Sequence, residues 1–129
     1  MKNKIENFRK AIERLQDGVS KYKSDTNDEL RRDGLIQRYE FTFELAWKTT
    51  KAFMENQQLT RYQLPKEVLQ SAYRFGFIDN EAVWLEMLKA RNMTSHLYDE
   101  RIAIKTCERV ITDYLPELTE LLKNIEDRL

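Results

Sequence analysis

The residue types best suited to chemistry lie close together in the stretch RNMTSHLYDE, which runs from Arg91 to Glu100. His96 is the only histidine of the chain, and Arg91 precedes it by five positions while Tyr98 follows it by two. A histidine titrates near neutral pH and can move a proton. An arginine can hold a phosphate through two parallel hydrogen bonds, and a tyrosine hydroxyl can donate a hydrogen bond or accept a nucleotidyl group. Together these side chains predict phosphodiester chemistry that needs no metal.

Each of these residues also has an ordinary structural interpretation. A lone histidine near a helix end is usually a cap or a half-buried polar group, and His96 taken alone favours that interpretation. The three positions indicate a site only if the fold brings them together.

The spacing constrains where the helices must end. On one continuous helix Arg91 and His96 would point about 140 degrees apart, so their convergence requires a break between them. Asn92, Thr94 and Ser95 favour such a break, because their side chains form local hydrogen bonds with the backbone. We therefore predict Arg91 at the end of a fourth helix and His96 in or near the turn into a fifth. In a two-fold dimer, residues of both copies can instead line one cleft.

Two parts of the sequence resemble a known family. The pattern Arg-x4-His-x-Tyr, with polar Asn92 directly after the arginine, looks like the signature of the HEPN superfamily. The segments IQRYEFTFELAWK (36–48) and WLEMLKARNMTSHLYDE (84–100) are more specifically similar to the nucleotidyltransferase substrate-binding proteins, a group similar to the HepT toxins. The resemblance spans nearly all 129 residues and implies a single HEPN-like helical domain, 1–129.

The resemblance implies that the chain is the accessory, substrate-binding partner of a separately encoded minimal nucleotidyltransferase, in a two-component or toxin–antitoxin-like module. It would present a cleft for a nucleotide or an RNA phosphate, formed by Arg91 and His96 with Asn92 in support. The sequence carries neither the Gly-Ser loop nor the paired carboxylates of a nucleotidyltransferase, so the resemblance assigns Mg²⁺ and the nucleotide triphosphate to the partner. HEPN proteins of this kind are dimers with a composite cleft, which implies a homodimer.

Two alternatives stay open beside the accessory subunit. In the first, the chain is a metal-independent RNase toxin of the HepT kind. His96 would then act as general base or acid on a ribose 2′-hydroxyl, Arg91 would stabilise the phosphorane, and the partner would silence the toxin by attaching a nucleotide to Tyr98. In the second, the motif has no activity and serves only the packing of a helical dimer.

The composition predicts a helical protein without a strong electrostatic field. Apolar residues make up 41% and charged residues 34%, with only three Gly and two Pro, which is typical of helices. The 22 basic and 22 acidic residues cancel, so any contact with RNA must be local. The single Cys107 fits a reducing, cytoplasmic location. No apolar run approaches the roughly 18 residues of a membrane span.

Hydrophobic periodicity predicts an all-α fold, namely an antiparallel up-and-down four-helix bundle with a short additional helix. We expect helices over about 2–23 and 27–57, a short helix between Pro65 and Gly76, a fourth capped by Asp79, and a last one from near Asp99 that Pro116 kinks or restarts. Residues 26–29, TNDE, resemble a capping box for the second helix.

The second helix carries two further predictions. Its apolar residues cover so much of its surface that neighbouring helices of one chain are not expected to bury them all, which favours a homodimer. Glu40, Glu44 and Lys48 form an i, i+4 ladder that we interpret as an ion pair at the bundle edge. A di-metal carboxylate site is not expected, because the chain lacks a Glu-x-x-His pair.

Overall fold

The computed structural model describes residues 1–93 and 99–129. All of the secondary structure in these residues is helical. In this part of the chain no strand occurs, and the predicted all-α class is confirmed. The elements are α1 (Lys2–Ser24), α2 (Glu29–Asn56), α3 (Pro65–Arg74), α4 (Glu81–Asn92), α5 (Glu100–Arg109), a π-helical turn (Val110–Tyr114) and α6 (Leu115–Glu126).

α5, the π-helical turn and α6 follow one another without a gap and form a third long helical run beside α1 and α2. These three and α4 make up the predicted bundle, and α3 is the short additional helix. α4 is the shortest of the four, with 12 residues. None of the described helices combines the length and the apolar character that crossing a bilayer requires.

α1 folds as a helix that buries a single stripe. Ile5, Phe8, Ile12, Leu15 and Val19 recur every three or four residues, and all five are buried. The stripe packs against α2 and α6. Each large apolar side chain that leaves water in this way contributes about 1.5–3 kcal/mol.

α2 is the central helix and contacts α1, α3, α4, α5 and α6. Aromatic pairs join it to its neighbours. Tyr39 stacks on Tyr114 of the π-helical turn with the ring centroids 5.2 Å apart, and Phe43 packs on Trp84 of α4 at 6.2 Å. The Tyr39 hydroxyl also donates to the carbonyl of Met87 at 2.6 Å. These contacts fix α4 and the π-helical turn against α2.

The chain itself covers most of the apolar surface of α2. Among its large apolar side chains only Leu30, 80% exposed, and Phe41, 59% exposed, are mainly in solvent. The surface left for a second copy is therefore smaller than the sequence pattern indicates.

The caps of α2 and α4 differ from those predicted. Asp28 caps α2, and its Oδ1 accepts hydrogen bonds from the backbone N–H of Leu30 at 2.9 Å and of Arg31 at 3.3 Å. The predicted capping box does not form, because this charged acceptor lies directly before the first helical residue. Asn80 caps α4 in place of Asp79, since the helix starts at Glu81 and only the preceding side chain reaches its third N–H.

The ends of α2 and α3 are Schellman motifs, in which the last carbonyls of the helix are satisfied by a backbone that turns left-handed. After α3 the predicted Gly76 occupies the left-handed position with φ +79°, and Phe77 N–H donates to Ala72 C=O at 2.9 Å. After α2 the same position holds Gln58 with φ 59°, a conformation that costs energy for a residue with a Cβ.

Pro116 restarts the last helix as predicted. Its nitrogen carries no hydrogen, so the usual helical hydrogen bond to the carbonyl of Thr112 cannot form. The preceding turn widens instead, with Leu115 N–H donating to Val110 C=O, five residues back. α6 begins at Leu115, and the proline therefore lies in its first turn.

Candidate functional site

Arg91 lies in the last turn of α4, and the helix ends at Asn92, which is exposed. Among the described residues the following helix begins at Glu100, and the end of α4 at Asn92 confirms the predicted break after Arg91. The Arg91 side chain is 31% exposed and lies beside α2. It is therefore half-buried and still accessible from solvent.

Two carboxylates of α2 hold the Arg91 guanidinium. Arg91 Nη1 lies 3.7 Å from Glu40 Oε2, and Arg91 Nε lies 3.4 Å from Glu44 Oε1. Glu40 and Glu44 are one helical turn apart, so they face the same side of α2. Glu44 also pairs with Lys48 at 3.5 Å, which confirms the predicted ion pair at the bundle edge. Glu40 differs from the prediction, because its charged partner is Arg91.

These contacts orient Arg91 without using all of its donors. Both distances exceed the roughly 2.7–2.9 Å of a strong charge-assisted hydrogen bond. The buried Nε–H finds no hydrogen-bond acceptor among the described residues. Burial raises the pKa of the Glu40 carboxyl, and the opposing charge of Arg91 does not fully compensate. An arginine held this loosely can still offer its planar fork to a phosphate.

The other flank of the motif is also fixed to α2. α5 begins at Glu100, close to the predicted start near Asp99, and Asp99 caps it, with its Oδ1 accepting from the N–H of Arg101 at 3.0 Å. Glu100 lies 3.7 Å from the guanidinium of Arg32, which is 5% exposed. Arg91 and Glu100 are thus both attached to α2, one on each side of residues 94–98.

His96 and Tyr98 lie outside the described residues, so the structure gives no account of their positions. Their convergence with Arg91 in one cleft stays a prediction. What the structure describes is the frame around them, in which α4 ends before the segment and α5 begins after it.

A polar network fixes the far side of α4, facing the π-helical turn. The Tyr114 hydroxyl donates to Glu86 Oε2 at 2.7 Å, and Arg109 Nε donates to the same oxygen at 2.8 Å. Arg109 also pairs with Asp113. The hydrogen bond from Tyr114 is the main cause that lowers the pKa of Glu86, and burial raises the pKa of Tyr114. At neutral pH the network is therefore an ionised carboxylate between a phenol and a guanidinium.

A sizeable surface cavity lies elsewhere. It measures about 490 Å³ and is formed by the loop after α2 and the end of α3, where Arg61, Tyr62, Arg74 and Phe75 line it. This end of α2 is opposite to the end at which Arg32 meets α5. Cavity size alone would thus direct attention away from the motif.

Sequence reasoning missed the partners of Arg91 and the network around Glu86. Glu40 and Glu44 attracted attention as an i, i+4 pair, but nothing in the sequence indicated which helix they face. Glu86 lies 23 residues before Arg109 and 28 before Tyr114, so the three form no local pattern. A weak local signal is the position of Glu86 on α4, two residues after the buried Trp84 and directly before the buried Met87.

Comparison with known proteins places the chain in a family. Residues 3–127 match the family described as nucleotidyltransferase substrate binding protein like. A protein of Haemophilus influenzae named probable ribonuclease HepT is 32% identical over 99 residues, which cover 74% of this chain and 67% of that protein.

Solved structures share the fold. HI0074 from Haemophilus influenzae, described as revealing the fold of a substrate-binding domain of a nucleotidyltransferase, has a TM-score of 0.82 and 29% identity, over 95% of this chain and 98% of that one. The tri-AMPylated HEPN toxin of Shewanella oneidensis, in complex with its MNT antitoxin, has a TM-score of 0.78 over 97% of this chain and 95% of the toxin. Its identity of 19% supports the fold alone.

The match over residues 3–127, the curated relative and the shared fold agree with the resemblance that the motif and its flanking segments indicated. This chain therefore belongs to the nucleotidyltransferase substrate-binding protein family, in the HEPN-like and HepT-like group.

Proposed function

We propose that this chain is the accessory, substrate-binding subunit of a separately encoded minimal nucleotidyltransferase. The observation that carries the proposal is the family match over residues 3–127. The structure of a HEPN toxin with its MNT antitoxin supports it, because a chain of this fold assembles there with a second protein. The partner supplies the Mg²⁺ and the nucleotide triphosphate.

The role of this chain is to present a phosphate-binding cleft at the end of α4. Arg91 supplies the positive charge, and Glu40 and Glu44 keep its guanidinium beside α2 at 3.7 and 3.4 Å. A phosphate can take over donors that these long contacts leave partly used. Asn92 is exposed at the same helix end and can add a hydrogen bond. His96 and Tyr98 complete the cleft in this proposal.

We also propose that the protein is a homodimer in the cell's cytoplasm. Exposed Phe41 and Leu30 on α2 support a further interface, since large apolar side chains in solvent often mark one. A two-fold arrangement would let both copies contribute to one composite cleft. Sedimentation velocity at micromolar concentration tests the dimer, and a single species at 15.6 kDa would contradict it.

Binding to the partner is the direct test of the proposed role. The small nucleotidyltransferase encoded in the same genome is titrated into this chain by calorimetry, with and without Mg²⁺ and ATP. We expect a dissociation constant below about 1 μM, equivalent to roughly −8 kcal/mol. No heat at the highest attainable concentration, with both proteins folded by circular dichroism, would refute the proposal.

A second candidate function rests on the curated relative of 32% identity, which is named a probable ribonuclease. The motif residues Arg91, Asn92, His96 and Tyr98 all match the RNase pattern. In this reaction His96 removes the proton of a ribose 2′-hydroxyl, and the 2′-oxygen attacks the adjacent phosphorus. Arg91 stabilises the charge of the phosphorane, and the bond from phosphorus to the 5′-oxygen breaks as that oxygen takes up a proton.

An RNA-cleavage assay in EDTA separates the two functions. Cleavage by the wild-type chain that disappears in His96→Ala and falls strongly in Arg91→Ala selects the RNase, provided that both variants melt like the wild type. No cleavage together with stable partner binding selects the accessory subunit. Tyr98→Phe tests modification: with partner, Mg²⁺ and ATP, a nucleotide mass should add to the wild type and not to this variant.

A further inference from the structure

A groove between α4 and α5 adjoins both ends of the segment 94–98. Its volume is about 310 Å³, at the lower end of the range of roughly 300–1,000 Å³ for small-ligand sites. Met93, directly before the segment, and Ile102, shortly after it, form part of the apolar lining. Lys89 of α4 and Lys105 of α5 stand on its two sides.

The residues that line this groove carry a net positive charge, because Lys89, Lys105 and Arg109 outnumber Glu86. Arg109 also lines it, but Glu86 and Asp113 already bind its guanidinium. Lys89 and Lys105 are exposed, and neither forms an ion pair with a carboxylate of the described residues. Two cations across an apolar floor suit a ligand with one strongly anionic group and one flat apolar part.

The wall of the groove is preorganised. Tyr114 is buried, stacked on Tyr39 and hydrogen-bonded to Glu86, and the Arg109 guanidinium lies 5.6 Å from the Tyr114 ring. The π-helical turn that ends at Tyr114 forms part of this wall, and such turns frequently occur at functional sites. A ligand entering here would meet a fixed surface and would not have to order it.

We propose that this groove binds a nucleotide phosphate, with Lys89 and Lys105 contacting the phosphate and Met93 and Ile102 contacting the base. The proposal deepens the proposed function and rests on it, because it supplies a second subsite for the same class of ligand. Positions 89 and 91 are about 200 degrees apart on α4, so the groove lies across the helix from Arg91. A strand that passes over the end of α4 can reach both, roughly one helix width of 10 Å apart.

The phosphate can belong to an RNA strand or to a free nucleotide, and two probes distinguish these sources. One is a fluorescein-labelled 10-nucleotide 2′-O-methyl RNA, which cannot be cleaved at its 2′ position, and the other is ATP with a fluorescent ribose label. Anisotropy is measured in EDTA with the full chain, over a series of salt concentrations.

The variant Lys89→Gln/Lys105→Gln removes both charges from the groove. Its matched control is Lys66→Gln/Lys123→Gln, which removes two exposed lysines from α3 and α6. Lys123 is in the last turn of α6 as Lys89 is in the last turn of α4, so the control also reproduces a change near a helix C-terminus.

We expect the groove variant to bind at least one probe about tenfold more weakly, while the control stays within twofold of the wild type. For the RNA probe, the slope of log K against log salt should fall by about 1.4, from two phosphate contacts at roughly 0.7 each on a single strand. If the groove variant binds the RNA probe more weakly, the phosphate belongs to an RNA strand. If it binds only the ATP probe more weakly, the phosphate belongs to a free nucleotide.

Equal affinity and equal slope in the groove variant and the control would overturn the proposal, as would a wild type that binds neither probe. A groove variant that loses only its partner nucleotidyltransferase, with probe binding unchanged, would also overturn it. A different result would refute the proposed function, namely that the wild type does not bind the partner nucleotidyltransferase. Circular dichroism melts confirm that all variants fold.

Discussion

The pKa values of two glutamates beside the site are shifted in opposite directions. The hydrogen bond from Tyr114, and then the hydrogen bond from Arg109, stabilise ionised Glu86, so its pKa is lowered. Desolvation dominates at Glu40, and its pKa is raised although Arg91 lies nearby. The two side chains therefore contribute to stability in opposite pH ranges.

For Glu86 the charge favours folding. Its lowered pKa contributes stability at pH values above the ordinary 4.5, and this contribution is lost as the pH falls through the folded value. We expect Glu86→Gln to reduce the free energy of unfolding at pH 7 by about 1 kcal/mol, because half of the side chain is in solvent. In thermal melts, the melting temperature of Glu86→Gln should lie clearly below that of the wild type at pH 7. At pH 3 the two melting temperatures should be close.

Glu40→Gln is the matched control at a second carboxylate. A raised pKa means that stability is present at low pH and is lost as the pH rises through the folded value. The neutral amide should therefore leave the melting temperature at pH 7 unchanged or higher. A loss at Glu40 as large as that at Glu86 would show that the ion pair with Arg91 outweighs desolvation.

Cys107 is predicted to be chemically inert. It is fully buried on α5, and burial raises its pKa to about 12. Little thiolate is present at pH 8, and no reagent can reach it without unfolding. Intact mass after iodoacetamide at pH 8 should show no adduct on the native protein and one adduct in guanidinium. Rapid labelling of the native protein would place the thiol at the surface.

At the residue scale the sequence identified which residues belong to the candidate site, but it did not identify the side chains that they contact. The end of α4 near Arg91 was predictable, because Asn92 and its polar neighbours compete with helix formation. The pairing of Arg91 with Glu40 and Glu44 depends on how α4 is rotated against α2, and that rotation follows from long-range packing such as Phe43 on Trp84. No local pattern contains this information.

At the scale of the elements, the left-handed residue after α2 offers a test of backbone strain. Gln58 has φ 59° at a position where α3 uses Gly76. Gln58→Gly should stabilise the protein by about 0.5–1 kcal/mol. This is the backbone strain that glycine relieves, minus the cost of the greater conformational entropy that glycine gives the unfolded chain. Chemical denaturation with urea measures the difference.

The control for this change is one residue away. Gln57 has φ −96°, where a side chain causes no strain, so Gln57→Gly should be neutral or destabilising. Equal effects of the two substitutions would mean that the left-handed backbone at Gln58 stores no energy.

The helices themselves were largely predictable, and their first residues were not. Apolar steps of three and four located α1, α2 and the final run within a few residues, since burial of one face determines where helices form. The N-caps differed because TNDE and DN both offer several capping side chains, and the choice among adjacent acceptors depends on where the first turn begins.

At the scale of the whole molecule, α2 organises the bundle and the site together. It contacts α1, α3, α4, α5 and α6, and it carries both the carboxylates that hold Arg91 and the buried Arg32 that faces Glu100. The sequence favoured a homodimer because this helix is so apolar. Most of that surface is covered within the chain, which leaves Phe41 and Leu30 as the apolar positions of α2 available to another protein.

The proposed function requires that this chain forms a complex with a minimal nucleotidyltransferase. The most direct measurement is multi-angle light scattering during size exclusion of this chain, the nucleotidyltransferase and their equimolar mixture at about 20 μM, well above the expected dissociation constant. We expect one peak for the mixture, with a mass that equals a whole-number combination of the 15.6 kDa chain and its partner. Two separate peaks at the masses of the isolated proteins would contradict it.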